Sequence, residues 1–354
     1  MKINFFHPLN TKFSKIINDI NIELRSFKKT KLKYNFLINE LIYLNLKVEN
    51  ILFDNSSNQK NPIILIKKDL ISLLERIVNF KKFKNFDKQL PLKLNSWIRE
   101  KTHKDLFQKL WVNYTFEEYK KERLGRYNKR LRINNLKKLI KNKKIVDFGC
   151  GHGNFLFSCL YYGANKCDGI DYGFNSIKYA KKISNKLKLN KKVNFYCQSI
   201  YKSNLKDNYY DFAIQNGVFH HMDNEIKAYK EMYRVLKKGG YCWIYTDGGG
   251  GIRDFVWDMS QNILKNIDKE MIIKSIRSYG LTTNKEYHLG DGLNALYRHT
   301  TLDIMKKKLS KIGFKFVRQL NGGFETDYDK PYYKGKYFTE KFGSGDLRLL
   351  FKKI

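Results

Sequence analysis

From Lys144 onward, short apolar runs alternate with segments of helical period. The strand candidates are Ile145–Phe148, Lys166–Ile170, Val193–Cys197, Phe212–Gln215 and Tyr241–Tyr245, and between them lie helix candidates at Phe155–Tyr162, Ser176–Leu187 and Glu225–Leu236. A run buried on both faces reads as continuous apolar sequence, and parallel strands need a crossover between them, so this rhythm predicts a parallel sheet with helices on both sides. Right-handed crossovers then make the sheet doubly wound. Further on, Leu302, Met305, Leu309 and Ile312 form one stripe of a helix over Thr301–Ile312 that stops at Gly313, and two more strands follow at Lys315–Leu320 and Leu347–Lys352.

Residues 1–110 read differently. Leu37, Leu41, Leu44 and Val48 recur at helical spacing, as do Ile66, Leu70, Leu73, Leu74 and Ile77, with Asn61-Pro62 suited to a helix start. This predicts a mainly helical accessory region that serves structure, gating or a homodimer contact. Residues 111–143 form a connecting segment in which Tyr119, Arg123, Tyr127 and Arg130 share a helical face. Two readings stay open for it: a lid over a ligand, or a basic helix packing its tyrosines on the core. The chain thus divides into 1–110, 111–143 and 144–354, with an insertion at about 247–299 in the last part.

The chemistry concentrates at two strand ends. V-D-F-G-C-G-H-G-N, from Val146 to Asn154, places Gly149, Gly151 and Gly153 where backbone must turn sharply and approach a ligand without a Cβ in the way. The loop departs from the dinucleotide pattern G-x-G-x-x-G, and Asp147 precedes the glycines. The second strand ends in G-I-D-Y-G, so Asp171 sits at its tip, where a carboxylate accepts ribose hydroxyls.

These blocks, with Y-Y-D-F-A-I-Q-N-G-V-F-H-H-M at 209–222 and E-M-Y-R-V-L-K-K-G-G-Y at 231–241, resemble the class I S-adenosylmethionine-dependent methyltransferases over about residues 140–354. The resemblance implies a Rossmann-like seven-stranded sheet of order 3-2-1-4-5-7-6 with the last strand antiparallel, and S-adenosyl-L-methionine as cofactor. It implies that Asp147, Gly149, Gly151 and Gly153 shape the methionyl site, that Asp171 holds the ribose, and that Tyr172 packs beside the adenine. Ser199 and Ile200 fall where the family contacts the adenine, although this chain has Gln198-Ser199-Ile200 where many members carry an acid. Asn216 and Gly217 would line the cofactor floor.

For the acceptor, His220, His221 and Asp247 follow the fourth and fifth strands and are the candidate catalytic residues. The insertion holds four consecutive glycines and then polar and aromatic residues, which reads as a substrate lid. Its Arg253, Trp257, His288, Arg298 and His299, together with Tyr127 and with Glu325 of a late loop, are the candidate substrate-binding residues. No spacing matches a metal-ligand signature, so no metal is expected. The reading is a methyltransferase for a small-molecule acceptor. An RNA methyltransferase using the basic N-terminal region is the alternative, and a non-catalytic binding module is a third.

Net charge is +35, from 69 Lys+Arg against 34 Asp+Glu. Such a balance suits a nucleic-acid or other polyanion partner, but the joint abundance of Lys, Asn, Ile, Phe and Tyr also fits an A/T-rich coding sequence. Five cysteines without a CxxC pair, no signal-peptide pattern and no run of transmembrane length lead to the expectation of a cytoplasmic protein with reduced thiols.

Overall fold

The computed structural model describes residues 7–27, 30–54, 56, 58–82, 115–295, 297–321 and 336–354. They fall into two units. One comprises the described residues of 7–82, 249–297 and 336–344, and the other those of 115–248, 298–321 and 345–354.

The larger unit is built on a seven-stranded sheet of order β3-β2-β1-β4-β5-β7-β6, from β1 Lys144–Phe148, β2 Lys166–Asp171, β3 Val193–Cys197, β4 Tyr210–Asn216, β5 Leu236–Asp247, β6 Phe314–Gln319 and β7 Asp346–Lys353. Pairing is parallel from β3 through β5, and β7 runs antiparallel to both β5 and β6. The order turns back between β1 and β4, so the crevice for a ligand opens at the C-terminal ends of those strands. One face carries Ile145, Phe212, Ile214 and Trp243 under the helices Asn154–Tyr161 and Phe174–Lys186. The other carries Val146, Phe148, Ile170, Ala213 and Ile244 under Glu225–Val235 and Leu302–Ser310. Alternate residues of each strand thus feed two cores, as a doubly wound sheet requires.

β5 begins five residues earlier than the apolar run predicts, because Leu236 already pairs with Tyr210 and a bulge absorbs the Lys237–Gly240 turn before Tyr241 pairs with Phe212. Ahead of the sheet runs a helical stretch of Phe116–Glu118, a six-residue π-helix Tyr119–Leu124, and Gly125–Ile133.

The helical unit contains Asn10–Arg25, Lys31–Phe53 and Pro62–Lys82, whose buried stripes include Phe13, Ile20, Leu37, Leu41, Val48, Ile66, Leu70 and Leu73. It also contains most of the segment read as an insertion, folded as Ile252–Leu264, Lys269–Ser278 and Thr283–Asn294. Ile252–Leu264 is buried nearly all round. Its Ser260 hydroxyl accepts from Asn45 Nδ2 at 3.0 Å, and its Asp254 accepts from His7 Nε2 at 2.7 Å. The Leu9 N–H donates to His7 Nδ1 at 3.1 Å, which leaves Nε2 as the protonated nitrogen.

Candidate active site

The loop after β1 turns through Gly149, Gly151 and Gly153 at φ of 79°, 51° and 77°. A Cβ at Gly149 would lie 2.5 Å from the Val218 side chain, and one at Gly153 would lie 2.7 Å from the Phe195 ring, so both positions are closed to larger residues. At Gly151 nothing stands within 4 Å of such a carbon. The loop therefore packs tightly at its two ends and presents bare backbone to open space at its middle.

Asp171 joins this loop to β2. Its Oδ2 accepts from Gly151 N–H at 2.9 Å and its Oδ1 from Gly173 N–H at 2.7 Å. Asp147, on β1, is buried, and its Oδ1 has no hydrogen-bond partner among the described residues. Burial, and then the Asp171 charge, push its carboxyl well above the usual range.

The π-helical stretch reaches the same loop, where the Tyr119 hydroxyl donates to the His152 carbonyl at 3.0 Å. The His152 ring lies 4.4 Å from Tyr179, and its Nε2 has no partner among the described residues. Burial and the Arg123 charge lower its pKa to about 4, so the ring is neutral near pH 7.

β4 and β5 build the neighbouring wall. Asn216 Nδ2 donates to the Tyr127 hydroxyl at 3.3 Å, while its Oδ1 accepts from Trp243 Nε1 at 3.1 Å and Arg130 Nη1 at 3.5 Å. Buried Gln215 shapes the turn that follows: its Oε1 accepts from Val218 N–H at 3.0 Å and Phe219 N–H at 3.4 Å, and its Nε2 donates to the Tyr245 carbonyl at 2.8 Å. Gly217, at φ 77°, leaves room for the Tyr245 ring, which would be 2.9 Å from a Cβ. Ser199 accepts from Tyr201 N–H and caps a short turn, the Ile200 side chain belongs to the core, and Tyr172 is 61% exposed beside Asp171.

The turn Phe219–His221 then presents two buried histidines with ring centroids 4.0 Å apart. Asp247, also buried, is 3.4 Å from the Tyr245 hydroxyl. Residues 298–300 run alongside: Arg298 N–H donates to the His220 carbonyl at 3.1 Å, and Thr300 N–H to the Asp247 carbonyl at 3.1 Å. The structure thus brings His220, His221, Asp247, Arg298 and His299 into one region at the ends of β4 and β5. The Arg298 guanidinium is occupied there by the Met222 and Asp223 carbonyls.

Arg253, Trp257 and His288 belong to the helical unit. Trp257 is buried there edge-on to His288 and Tyr297 at 5.0 and 5.4 Å, with the Arg253 guanidinium 5.9 Å from its ring. Glu325 lies outside the described residues. No group of three or more His, Cys, Asp or Glu side chains among the described residues is placed to hold a metal ion. Gln215, His152, Arg130 and Tyr245 were not among the candidate site residues. A glutamine inside the apolar run F-A-I-Q-N was the available signal for the first, since a buried amide must find partners.

A family model described as a methyltransferase domain matches residues 146–244. The chain is 24% identical over 197 residues to a sterol 24-C-methyltransferase of Kluyveromyces lactis, an alignment covering 54% of this chain and 46% of that one. It is 26% identical over 107 residues to methyltransferase phqN of Penicillium fellutanum (30% and 32% covered) and 28% identical over 102 residues to a tRNA U34 carboxymethyltransferase of Helicobacter acinonychis (28% and 39%). The chain therefore spans less than half the length of these relatives. Among solved structures, a S-adenosylmethionine-dependent methyltransferase from Listeria monocytogenes aligns with a TM-score of 0.43 at 17% identity, over 64% of this chain and 98% of that one.

S-adenosylmethionine fits the residues present. Open space at Gly151 admits a ligand against backbone, the Asp171 carboxylate stands at the tip of β2 beside that space and can accept a hydroxyl, and the unpartnered Asp147 oxygen suits a donor or cationic group. Residues 146–244 thus match a methyltransferase domain, and the sheet built around them has the strand order that the resemblance to the class I S-adenosylmethionine-dependent methyltransferases implies.

Proposed function

We propose that this protein transfers the methyl group of S-adenosylmethionine to a small-molecule acceptor at the C-terminal ends of β4 and β5. The observation that carries this reading is the burial of His220, His221 and Asp247 at the ends of β4 and β5, with His220 beside Gly217 and Val218 against Gly149 of the glycine loop. A buried polar cluster suits an acceptor enclosed away from water, whereas a polymer needs an open track.

The cofactor supplies an electrophilic methyl group on a sulfonium. The chain's own task is to hold donor and acceptor in line, and positioning of this kind supplies several kcal/mol. Asp171 holds the ribose while bracing the loop, and Asp147 takes a donor of the methionyl end. Asn216, fixed by Tyr127, Arg130 and Trp243, keeps the floor rigid. His220 or His221 removes the proton from an O, S or N acceptor, work for which imidazole suits neutral pH.

Five unbridged cysteines support a cytoplasmic location, and no helix among the described residues is long and apolar enough to cross a membrane. Exposed Ile22, Tyr43, Ile64 and Ile71 on the N-terminal helices support a homodimer.

The test is transfer of labelled methyl from S-adenosylmethionine into separated small-molecule and RNA fractions of a cell extract. Label in the small-molecule fraction, reduced about a hundredfold by His220→Ala or His221→Ala with S-adenosylhomocysteine affinity kept, is the expected result. Label only in RNA would replace this reading with the RNA one, which the net charge favours. Cofactor binding without transfer to either fraction would leave a binding module.

A further inference from the structure

At the far end of the sheet from the glycine loop lies a groove that the methyl-transfer reading does not use. It runs between the helix Leu302–Ser310, the start of β6 and the end of β7, and Lys306, Lys307 and Lys315 line it together with Tyr233, Phe316 and Gly313. From Tyr241 to Asp247 on β5 is about 20 Å of strand, so the groove is separated from the ends of β4 and β5 by roughly that distance.

The groove is predominantly basic, with Ile354 at one edge, where its carbonyl oxygen accepts from the Tyr233 hydroxyl at 3.4 Å. Lys307 and Lys315 are exposed, and no carboxylate pairs with either among the described residues. Lys306 has only Asp303, 3.9 Å away and itself exposed, a contact worth little in water. The floor is aromatic. The half-buried Phe316 ring lies 4.7 Å from the Lys306 ammonium. The Tyr233 ring packs edge-on to Phe314 at 5.2 Å. Gly313, at φ 110°, makes room for that ring, because a Cβ there would be 2.7 Å from the Tyr233 hydroxyl.

We infer that this groove binds single-stranded nucleic acid, with phosphates on the lysines and an unstacked base on the aromatic floor. Cations alone would serve any polyanion. Cations beside half-exposed rings in one depression match a strand whose bases are free to stack, at about 1–3 kcal/mol per base. A duplex hides those ring faces, and an anionic lipid surface favours a convex face over a groove. The site stands apart from the methyl acceptor, and either assignment can fail without the other.

The experiment is fluorescence anisotropy of labelled oligo(U) and oligo(dT) of about 12 nucleotides, titrated with the full chain across a salt series. The groove variant is Lys307→Gln/Lys315→Gln, two exposed positions whose replacement leaves the fold alone. A control, Lys137→Gln/Lys138→Gln, removes the same charge from another exposed site of the same unit. Binding that weakens about tenfold in the groove variant, with the slope of log K against log salt smaller by about 1.4, is expected, and the control should change little. Phe316→Ala should weaken binding with the salt slope unchanged. S-adenosylhomocysteine affinity should stay at the wild-type value in all of them. Equal losses in groove and control variants, no oligonucleotide binding at about 50 mM salt, or binding to phosphatidylserine vesicles but not to oligonucleotides would each overturn the assignment.

Discussion

Replacing Asp171 by Ala tests two roles at one position. In the fold, its carboxylate accepts from Gly151 and Gly173 N–H at 2.9 and 2.7 Å. Charge-assisted bonds of this kind are worth about 1.5–3 kcal/mol each, but the residue is half-exposed and water replaces part of them, so a net stability loss of about 1–2 kcal/mol is expected. For a domain of this size that lowers Tm by about 2–8 °C. In the proposed cofactor complex, the same side chain would hold the ribose, and loss of that contact should weaken cofactor binding about tenfold to a hundredfold. Asp171→Asn separates the two: its amide oxygen still accepts one backbone N–H and recovers part of the Tm, while the missing charge leaves affinity low. Calorimetric titration with S-adenosylhomocysteine, beside thermal unfolding of each variant, reads both quantities. A lowered Tm with unchanged affinity would show that Asp171 is only a brace for the loop, and the ribose assignment would fall.

Gly151→Ala and Gly153→Ala should part company. At Gly153 the new carbon meets Phe195 and Phe157 at positive φ and destabilises the fold by several kcal/mol, whereas at Gly151 it enters open space, so stability falls only by about 1 kcal/mol while cofactor affinity drops sharply. Wild-type binding by Gly151→Ala would place the cofactor elsewhere. Gln215→Leu strands the part-buried Val218 and buried Phe219 N–H groups and should cost about 2–4 kcal/mol in urea unfolding; a neutral result would remove Gln215 as the organiser of the β4 turn. Unfolded His152 takes up a proton below about pH 6.5, but in the fold it does so only near 4, so its neutral form's contribution is complete above pH 6.5 and is lost progressively as pH falls to about 4. That difference amounts to about 3 kcal/mol, and His152→Gln should flatten the acid limb of the stability profile; identical limbs would contradict the burial argument.

Much of the sheet was legible because its central strands are buried on both faces, so Ile145–Phe148 and Phe212–Gln215 stand out as short, mainly apolar runs. The glycine loop and Asp171 were legible for a related reason: their backbone demands exclude most residue types. Other features rest on contacts that no local window contains. The start of β5 looked like a turn because Lys-Lys-Gly-Gly carries turn chemistry, and only its pairing with β4 extends the strand. The partnership of His7 with Asp254 spans 247 residues, and that of Asn45 with Ser260 spans 215, so nothing near 249–297 announced that it folds with the N-terminal helices. Trp257 read as a recognition surface for the same reason. An aromatic six positions after a run of glycines looks exposed until Gly292, thirty-five positions away, is seen to make its slot.

The stretch Tyr119–Leu124 carries one extra residue's worth of winding relative to an α-helix. The bulge absorbs that residue locally, so deleting one residue there would restore an α-helix and leave the turns on either side in register. The Tyr119 hold on the His152 carbonyl and the Tyr127 and Arg130 hold on Asn216 would then both survive. Homologues that shorten this segment by one position should therefore have kept the tyrosine at its head, a pairing that a count of gaps in related chains can check.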